Sequence, residues 1–338
     1  MACSSSAAAT GWSVVASPNR PGFDYLSGVS CVSSSACVAV GYSDSASVPD
    51  RTLVETWNGR TWSITPSPNV GAEPSDLNSV YCSAPGACWA VGTKNVYASL
   101  IERLVGHRWT VVNSSRFGHT TLTGVTCIHR NDCVAVGWQS FQSLALKWDG
   151  GAWFVWARFK DVGLNGISCP TPTLCMAVGH RGQRPMVETW DGSAWSSSKL
   201  VLLHSSLSEF DGVTCWSARG CMSVGEGSAK RAIAAIWNGR DWTALPVPLG
   251  GVGQNSLKSV ACRSAADCVA VGSSSVLYGG AVGFMEKWDG STWRVVIGPH
   301  VDGAVLSGVA MSRGHDFAVG NGPRGTLIER WERSASAT

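Results

Sequence analysis

The stretch that decides the fold runs Gly28-Val29-Ser30-Cys31, then Cys37-Val38-Ala39-Val40-Gly41, then Thr56-Trp57-Asn58-Gly59-Arg60-Thr61-Trp62. It recurs. Equivalent segments begin at Ser79-Val80-Tyr81-Cys82, Gly124-Val125-Thr126-Cys127, Gly166-Ile167-Ser168-Cys169, Gly212-Val213-Thr214-Cys215 and Ser259-Val260-Ala261-Cys262. A seventh begins at Gly308-Val309-Ala310-Met311, and successive copies lie 42 to 51 residues apart. Each copy reads as four strands. Strand a is the run around Gly28-Val29, b is Cys37 to Val40, c is Thr52 to Trp57 and d is Trp62-Ser63-Ile64. Alternation and β-branched content support all four. The c–d connection carries Asn58-Gly59, Asp149-Gly150, Asp191-Gly192 or Asp289-Gly290, dipeptides that tolerate positive φ at both centres of a tight hairpin turn.

A period of this length with four strands per repeat is that of a propeller blade. The expected fold is all-β, a seven-bladed β-propeller with four antiparallel strands per blade. The ends of the chain say how the ring closes. Copy seven stops after Leu327-Ile328-Glu329-Arg330-Trp331, without a strand d. At the other end, Trp12 to Asn19 (WSVVASPN) matches Trp62 to Asn69 (WSITPSPN), a strand d with its exit. The N-terminal strand is therefore expected to be the outer strand of the last blade, which removes an open sheet edge. The expected organisation is a flexible tail over 1–10 and one propeller over 11–333, of which 11–19 is the closing strand. The blades fall near 26–67, 77–114, 122–158, 164–201, 210–247, 257–298 and 306–333, with a second tail over 334–338.

Six copies carry two cysteines with five residues between them. The pairs are Cys31 with Cys37, Cys82 with Cys88, Cys127 with Cys133, Cys169 with Cys175, Cys215 with Cys221 and Cys262 with Cys268. Each pair brackets the a–b connection, so its sulfurs should meet across a short hairpin as a disulfide. Zinc is the weaker reading, because each pair sits on its own blade and no His recurs in register. Met311 and Asp316 replace the pair in copy seven, which leaves the Trp12 strand as the expected clasp of that blade.

Disulfides on this scale belong to an oxidising compartment, and the expected location is extracellular or at a bacterial cell surface. Met1 to Ser6 lacks the charged and apolar regions of a signal peptide, so an export signal is expected to be trimmed or to lie upstream. Cys3 is the odd thiol of thirteen. Its Cys-Ser-Ser-Ser context resembles the lipid-bearing start of a mature bacterial lipoprotein, the other reading being a free thiol in a tail. No stretch has the length of a membrane span. A net charge of +3 without any basic run argues against nucleic acid.

The order of strand a, an Ala-Val-Gly strand b, a strand c ending in an aromatic and a Trp opening strand d is similar to kelch repeats. The similarity covers nearly the whole chain and implies a propeller like the central domain of galactose oxidase. It also extends to secreted bacterial propeller proteins of unknown role. It departs from kelch in having one Gly after strand b where kelch has two. The turn from Trp288 to Trp293 (WDGSTW) resembles a shortened sialidase Asp-box. Neither family's catalytic residues find a counterpart, so the resemblance carries fold alone.

Residues that recur from blade to blade are best explained by packing. Trp57 with Trp62, Trp148 with Trp153, Trp190 with Trp195, Trp237 with Trp242 and Trp288 with Trp293 are of that kind. So are Glu55, Glu102, Glu188, Glu286 and Glu329, two positions before the end of strand c. Function should sit where copies differ, on the b–c and d–a loops that share one face of the ring. The b–c candidates are Tyr42, Asp44, Tyr97, Trp138, Phe141, His180, Arg181, Glu226 and Tyr278. The d–a loops add Asp24, Tyr25, His119, Asp161, His204, His300 and Asp302. A polar ring is expected near the channel mouth from Ser27, Asn78, Thr123, Asn165, Asp211, Lys258 and Ser307, with Asp211 and Lys258 its only charges.

With no coherent reactive set, no metal site and no cofactor motif, the expected function is a monomeric, secreted or surface-anchored binding propeller. Its partner would be a glycan or an extracellular protein. The alternative is an extracellular carbohydrate-active enzyme, a glycoside hydrolase or polysaccharide lyase, drawing on Asp24, Asp161, Asp211, Glu226 and Asp302 as acids.

Overall fold

A two-residue turn closes the hairpin between strands a and b, and short connections add c and d outward from it. In blade 1 the strands are Phe23–Ser33, Ala36–Ser45, Val48–Trp57 and Trp62–Ile64, hydrogen-bonded in that order. The same a-b-c-d order is repeated over 75–112, 121–160, 163–197, 209–245 and 254–296. In this computed structural model the described residues are 11–45, 48–69, 73–95, 97–112, 117–198, 200–201, 209–228, 231–248, 253–275 and 280–332. Blade 7 consists of Val305–Met311, His315–Gly322 and Gly325–Glu332, with Trp12–Val15 as its outer strand. Trp12 pairs with Trp331 and Val15 with Ile328. The ring is a seven-bladed propeller closed by its N-terminal strand. One detail differs from the expected blades: Leu200–Val201 leaves blade 4 and pairs in parallel with Trp242–Thr243, outside strand d of blade 5.

The core lies between blades. Where a blade carries a Trp pair, the pair packs on the blade before it: Trp148 and Trp153 on Trp89 and Trp57 and Trp62 on Phe317, both in strand b, and Trp190 and Trp195 on Trp156 of strand d. Strand b itself is buried on both faces, as Ala39, Val40, Ala135 and Val136 illustrate. That accounts for the continuous apolar run Val-Ala-Val in place of strict alternation.

Every strand a carries a β-bulge at the ring position, because the pairing skips Ser27, Asn78, Thr123, Asn165, Asp211, Lys258 and Ser307. A bulge re-aims its residue, and all seven line the central channel. The invariant Gly after strand b makes room for it. A Cβ on Gly41 would fall on the carbonyl of Tyr25, and one on Gly137 on that of Thr121. Three ring residues stitch their blade to the next. Asn78 Nδ2 donates to Leu122 O (2.9 Å), Thr123 Oγ1 to Leu164 O (2.8 Å) and Asn165 Nδ2 to Phe210 O (2.9 Å).

The c–d turn is not the two-residue hairpin that its Asn-Gly dipeptide suggested. Trp57 pairs with Trp62, so four residues intervene, and of the Asn58-Gly59 dipeptide only Gly59 has positive φ. Asn58 Oδ1 instead accepts from Arg60 N (2.9 Å) and Thr61 N (3.0 Å). Asp149, Asp191, Asn238 and Asp289 repeat this, an Asx turn in which the side chain replaces a backbone acceptor.

Each of the six cysteine pairs is a disulfide within its own blade. In blades 1 to 3 Cys31 is bonded to Cys37 (Cα–Cα 4.1 Å), Cys82 to Cys88 (4.0 Å) and Cys127 to Cys133 (3.9 Å). In blades 4 to 6 Cys169 is bonded to Cys175 (4.1 Å), Cys215 to Cys221 (4.0 Å) and Cys262 to Cys268 (4.0 Å). The second cysteine opens strand b and is the more deeply buried of the two: Cys37, Cys88, Cys133, Cys175, Cys221 and Cys268 are all at most 2% exposed. These bonds therefore brace the a–b hairpin from inside the core and engage all twelve cysteines among the described residues, while Cys3 lies outside them. Blade 7 has a clasp besides the Trp12 strand, contrary to expectation. Arg263 of blade 6 grips Asp316 through both terminal nitrogens and donates to Ser312 O (3.2 Å). An ion pair across the blade boundary thus occupies the place that a disulfide holds elsewhere.

A second clasp crosses the ring closure. Ser17 Oγ bonds Glu55 of blade 1 (2.9 and 3.1 Å) and Thr326 of blade 7 (2.7 Å), while Asn19 Oδ1 accepts from Thr326 N (2.8 Å). Between blades 1 and 2 the same relay runs from Thr52 through Ser67 to Glu102 (2.9 and 2.8 Å). The recurrent Glu therefore reaches back to the Ser-Pro-Asn exit of the preceding blade.

Candidate functional site

Most of the expected b–c loop residues stand in strands. Tyr42, Asp44, Trp138, His180, Arg181 and Glu226 all belong to extended b strands, because b and c continue pairing until a tight turn remains. In blades 3 and 4 that turn is only Ser140-Phe141 and Gly182-Gln183. The variable face of these blades is thus built of rigid hairpin ends where the sequence suggested loops.

Trp138, Phe141 and His180 come together. With Asp161 and Gly163 they line a cleft of about 430 Å³ between blades 3 and 4. Phe141 stands at the hairpin tip, 85% exposed, and Trp138 is 41% exposed. Ser140 and Asp161 both adopt positive φ, and Asp161 N donates to Phe141 O (2.9 Å), which fixes the tip. The His180 ring covers Gly163, where a Cβ would collide with it.

His180 also belongs to a charged cluster toward the channel. Its Nδ1 lies 3.3 Å from Glu209 Oε2, and this contact raises the imidazole above its ordinary range while lowering Glu209. Glu209 is the register partner of Glu226. Lys258 Nζ lies 3.2 Å from Asp211 Oδ1 and 4.0 Å from Glu226 Oε2, so one ammonium bridges two carboxylates from blade 5. Burial pushes Asp211 up to about 7 against the pull of Lys258, helped by the neighbouring Glu209 and Glu226. Asp211 Oδ2 has no partner among the described residues. Glu209 was missed in the sequence; its pairing opposite Glu226 is the signal that would have found it.

The other candidates lie apart. Tyr42 stacks on Tyr25 at 4.7 Å on blade 1, where Asp44 is exposed, and Tyr97 stands exposed on blade 2. Arg181 is engaged with the buried Glu188 (3.1 Å), which also accepts from Ser197 (2.7 Å). Asp24 is buried and accepts from Arg20 N, and Asp302 pairs with His300 in the open. Tyr278 and His204 lie outside the described residues. Among the described residues no three His, Cys, Asp or Glu side chains are grouped to hold a metal ion, and no helix is long and apolar enough to cross a membrane.

No protein-family profile and no curated protein matches the chain. Solved structures do match, and they are propellers. The chain is similar to YCF48 bound to a D1 peptide, at 13% identity over 96% of this chain and 97% of that one, TM-score 0.66. It is similar to a catalytically inactive virginiamycin B lyase from Staphylococcus aureus with quinupristin, at 11% identity over 96% and 99%, TM-score 0.69. It is also similar to the fucose-specific lectin from Aleuria aurantia, at 13% identity over 83% and 98%, TM-score 0.58. At these identities the likeness is one of fold. The resemblance to kelch repeats extends to blade architecture and no further, and one fold serves a peptide binder, a lectin and a lyase.

Proposed function

We propose that this protein is a secreted or surface-anchored, non-catalytic binding propeller that presents blades 3 to 6 of its variable face to a glycan or an extracellular protein. The observation that carries the reading is the exposed Trp138 and Phe141 cleft opening beside the His180–Glu209–Lys258 cluster. Rigid aromatic faces with adjoining charged groups suit both sugar rings and protein side chains, and such anchors dominate binding energy. The disulfides support an oxidising setting, and the similarity to a lectin and to a peptide-binding propeller is in keeping with it.

The test is a glycan array together with a pull-down from extracellular material. Trp138→Ala and Phe141→Ala should each weaken the ligand so found by about tenfold or more, as for central aromatic anchors. Retained affinity in the double variant would remove the cleft from the reading.

A carbohydrate-active enzyme is the second reading. It is favoured by one observation: adjacent carboxylates with opposed titration, Asp211 raised to about 7 and Glu209 lowered. If it holds, turnover of a polysaccharide should be found and should be lost in Asp211→Asn. Full binding of the ligand by the double variant Asp211→Ala with Lys258→Ala would exclude the cluster from the binding role, and undiminished turnover in Asp211→Asn would exclude it from the catalytic one.

A further inference from the structure

One interface departs from the repeat. Six blades end strand c with a tryptophan: Trp57, Trp148, Trp190, Trp237, Trp288 and Trp331. Blade 2 has Leu104 there, paired with Trp109. The blade it packs against is small as well, with Val38 where blade 2 offers Trp89 to its neighbour and blade 7 offers Phe317. A cleft of about 580 Å³ opens at this interface, on the face opposite the Trp138 cleft. Its lining is mainly apolar and includes Val38, Trp57, Leu104, Trp109 and the disulfide of Cys82 with Cys88.

The residue that supplies the polar contact of the missing ring is also at the cleft. In three blades the strand c indole donates its N–H to a carbonyl of the a–b turn: Trp57 to Ser34 (3.0 Å), Trp190 to Pro172 (3.3 Å) and Trp288 to Ala265 (2.9 Å), whereas Trp148 and Trp237 have no acceptor among the described residues. Counting from the first cysteine of each pair, the equivalent carbonyl in blade 2 belongs to Pro85, and Pro85 lines the cleft.

We infer that the cleft between blades 1 and 2 binds a free indolic small molecule, a planar bicyclic aromatic with one ring N–H, whose ring takes the place filled by a tryptophan in the other six blades. The shape requirement comes from the repeat, and the polar requirement from the Pro85 carbonyl. An apolar space lined by aliphatic and aromatic side chains takes up small aromatics readily, and a single well-placed acceptor then selects among them. This site is independent of the reading proposed for the opposite face.

The test titrates the full chain with indole and with benzothiophene, an isostere lacking the N–H, by calorimetry and thermal shift. Indole should bind saturably at one site and benzothiophene at least fivefold more weakly. Leu104→Trp, which restores the repeat, should abolish indole binding and raise the melting temperature of the unliganded protein. Ala84→Phe, on the exposed rim of the cleft, should also abolish binding while leaving the melting temperature near that of the parent. Absence of saturable binding to the parent chain would overturn the inference, as would undiminished binding by Leu104→Trp. Should that variant fail to fold, the rim variant decides, since unchanged binding there places indole elsewhere. Equal affinity for benzothiophene would overturn the role given to the Pro85 carbonyl.

Discussion

Deleting residues 11–19 is expected to lower the melting temperature by about 10 °C or more, the largest effect of any short deletion in this chain. Three losses coincide. Removing strand Trp12–Val15 leaves four residues of blade 7 unpaired, Trp331 to Ile328. Trp12 itself is 8% exposed and packs against Trp331 at 6.1 Å, and removing a buried Trp costs about 3–5 kcal/mol. Ser17 and Asn19 take with them the bonds to Glu55 and Thr326 that join blade 7 to blade 1. In a domain of more than 300 residues each kcal/mol shifts the midpoint by only about 1–2 °C, so the size of the effect rests on the three losses acting together. Trp12→Ala isolates the packing loss and Ser17→Ala the relay. The Arg263–Asp316 pair still holds blade 7 to blade 6 in the truncated chain, so melting should begin at the 7/1 boundary. Hydrogen exchange should show protection lost first between Ile328 and Trp331, the residues that faced the deleted strand. An unchanged midpoint would mean that the N-terminal strand does not close the ring.

The second large effect is on pH. Burial raises Glu55, Glu102 and Glu329 to about 7 and Glu286 to about 8, from an ordinary value of 4.5. Such groups hold their protons in the folded state after the unfolded chain has released them. Their stabilising contribution is therefore complete below about pH 4.5 and is lost as pH rises through 7 to 8. Each unit corresponds to about 1.4 kcal/mol, so a single one of these shifts is on the order of 3 kcal/mol. His180, raised by Glu209, acts in the same direction. The lowered Glu209 and Asp191 have already gained their stability above pH 4.5, so they do not oppose the trend in this window. The melting temperature should fall by about 10 °C between pH 5 and pH 8.5. A rise over that range would show that these carboxylates are ionised and satisfied.

The relay also says which carboxylates carry most of this dependence. Glu55 and Glu102 receive Ser17 and Ser67. By the same spacing Val247 faces Glu286 and Gly298 faces Glu329. Both oxygens of Glu286 and Oε2 of Glu329 lack a partner among the described residues, and a Cβ on Gly298 would stand 3.2 Å from Glu329 Oε2 once the flexible end of Met285, 2.5 Å from that Cβ, has swung aside. Gly298→Ser should supply the hydroxyl present in the other two relays and raise the midpoint at pH 8. Glu286→Gln should remove that residue's share of the slope while leaving the others. If neither variant changes the slope, the pH dependence arises elsewhere.

How much of the site could be read from the chain depends on whether a residue repeats. The ring residues Asp211 and Lys258 were recognisable because they occupy one column of the repeat, and the bulge turns that whole column into the channel. Trp138, Phe141 and His180 were identifiable only as departures from the repeat, scattered among equally plausible Tyr42, Tyr97 and Arg181. Nothing in one dimension distinguishes Arg181, turned onto Glu188, from His180, its chain neighbour turned into the cleft. Alternation along a strand sends adjacent side chains to opposite faces, and which face meets a neighbouring blade depends on the partner.

Blade count, strand order, closure by the Trp12 strand and the pairing of each cysteine with the one six positions on are all written in the chain. In a propeller each blade is a local unit, so these features lie within single repeats or at the two ends. The Arg263–Asp316 clasp, the Ser–Glu relay, the His180–Glu209 pair beside Lys258 and the cleft left by Leu104 came from the packed ring and from nothing less. Each of these is a contact between different blades, made by side chains more than 25 residues apart, and depends on the size or charge of a residue in the blade beside it.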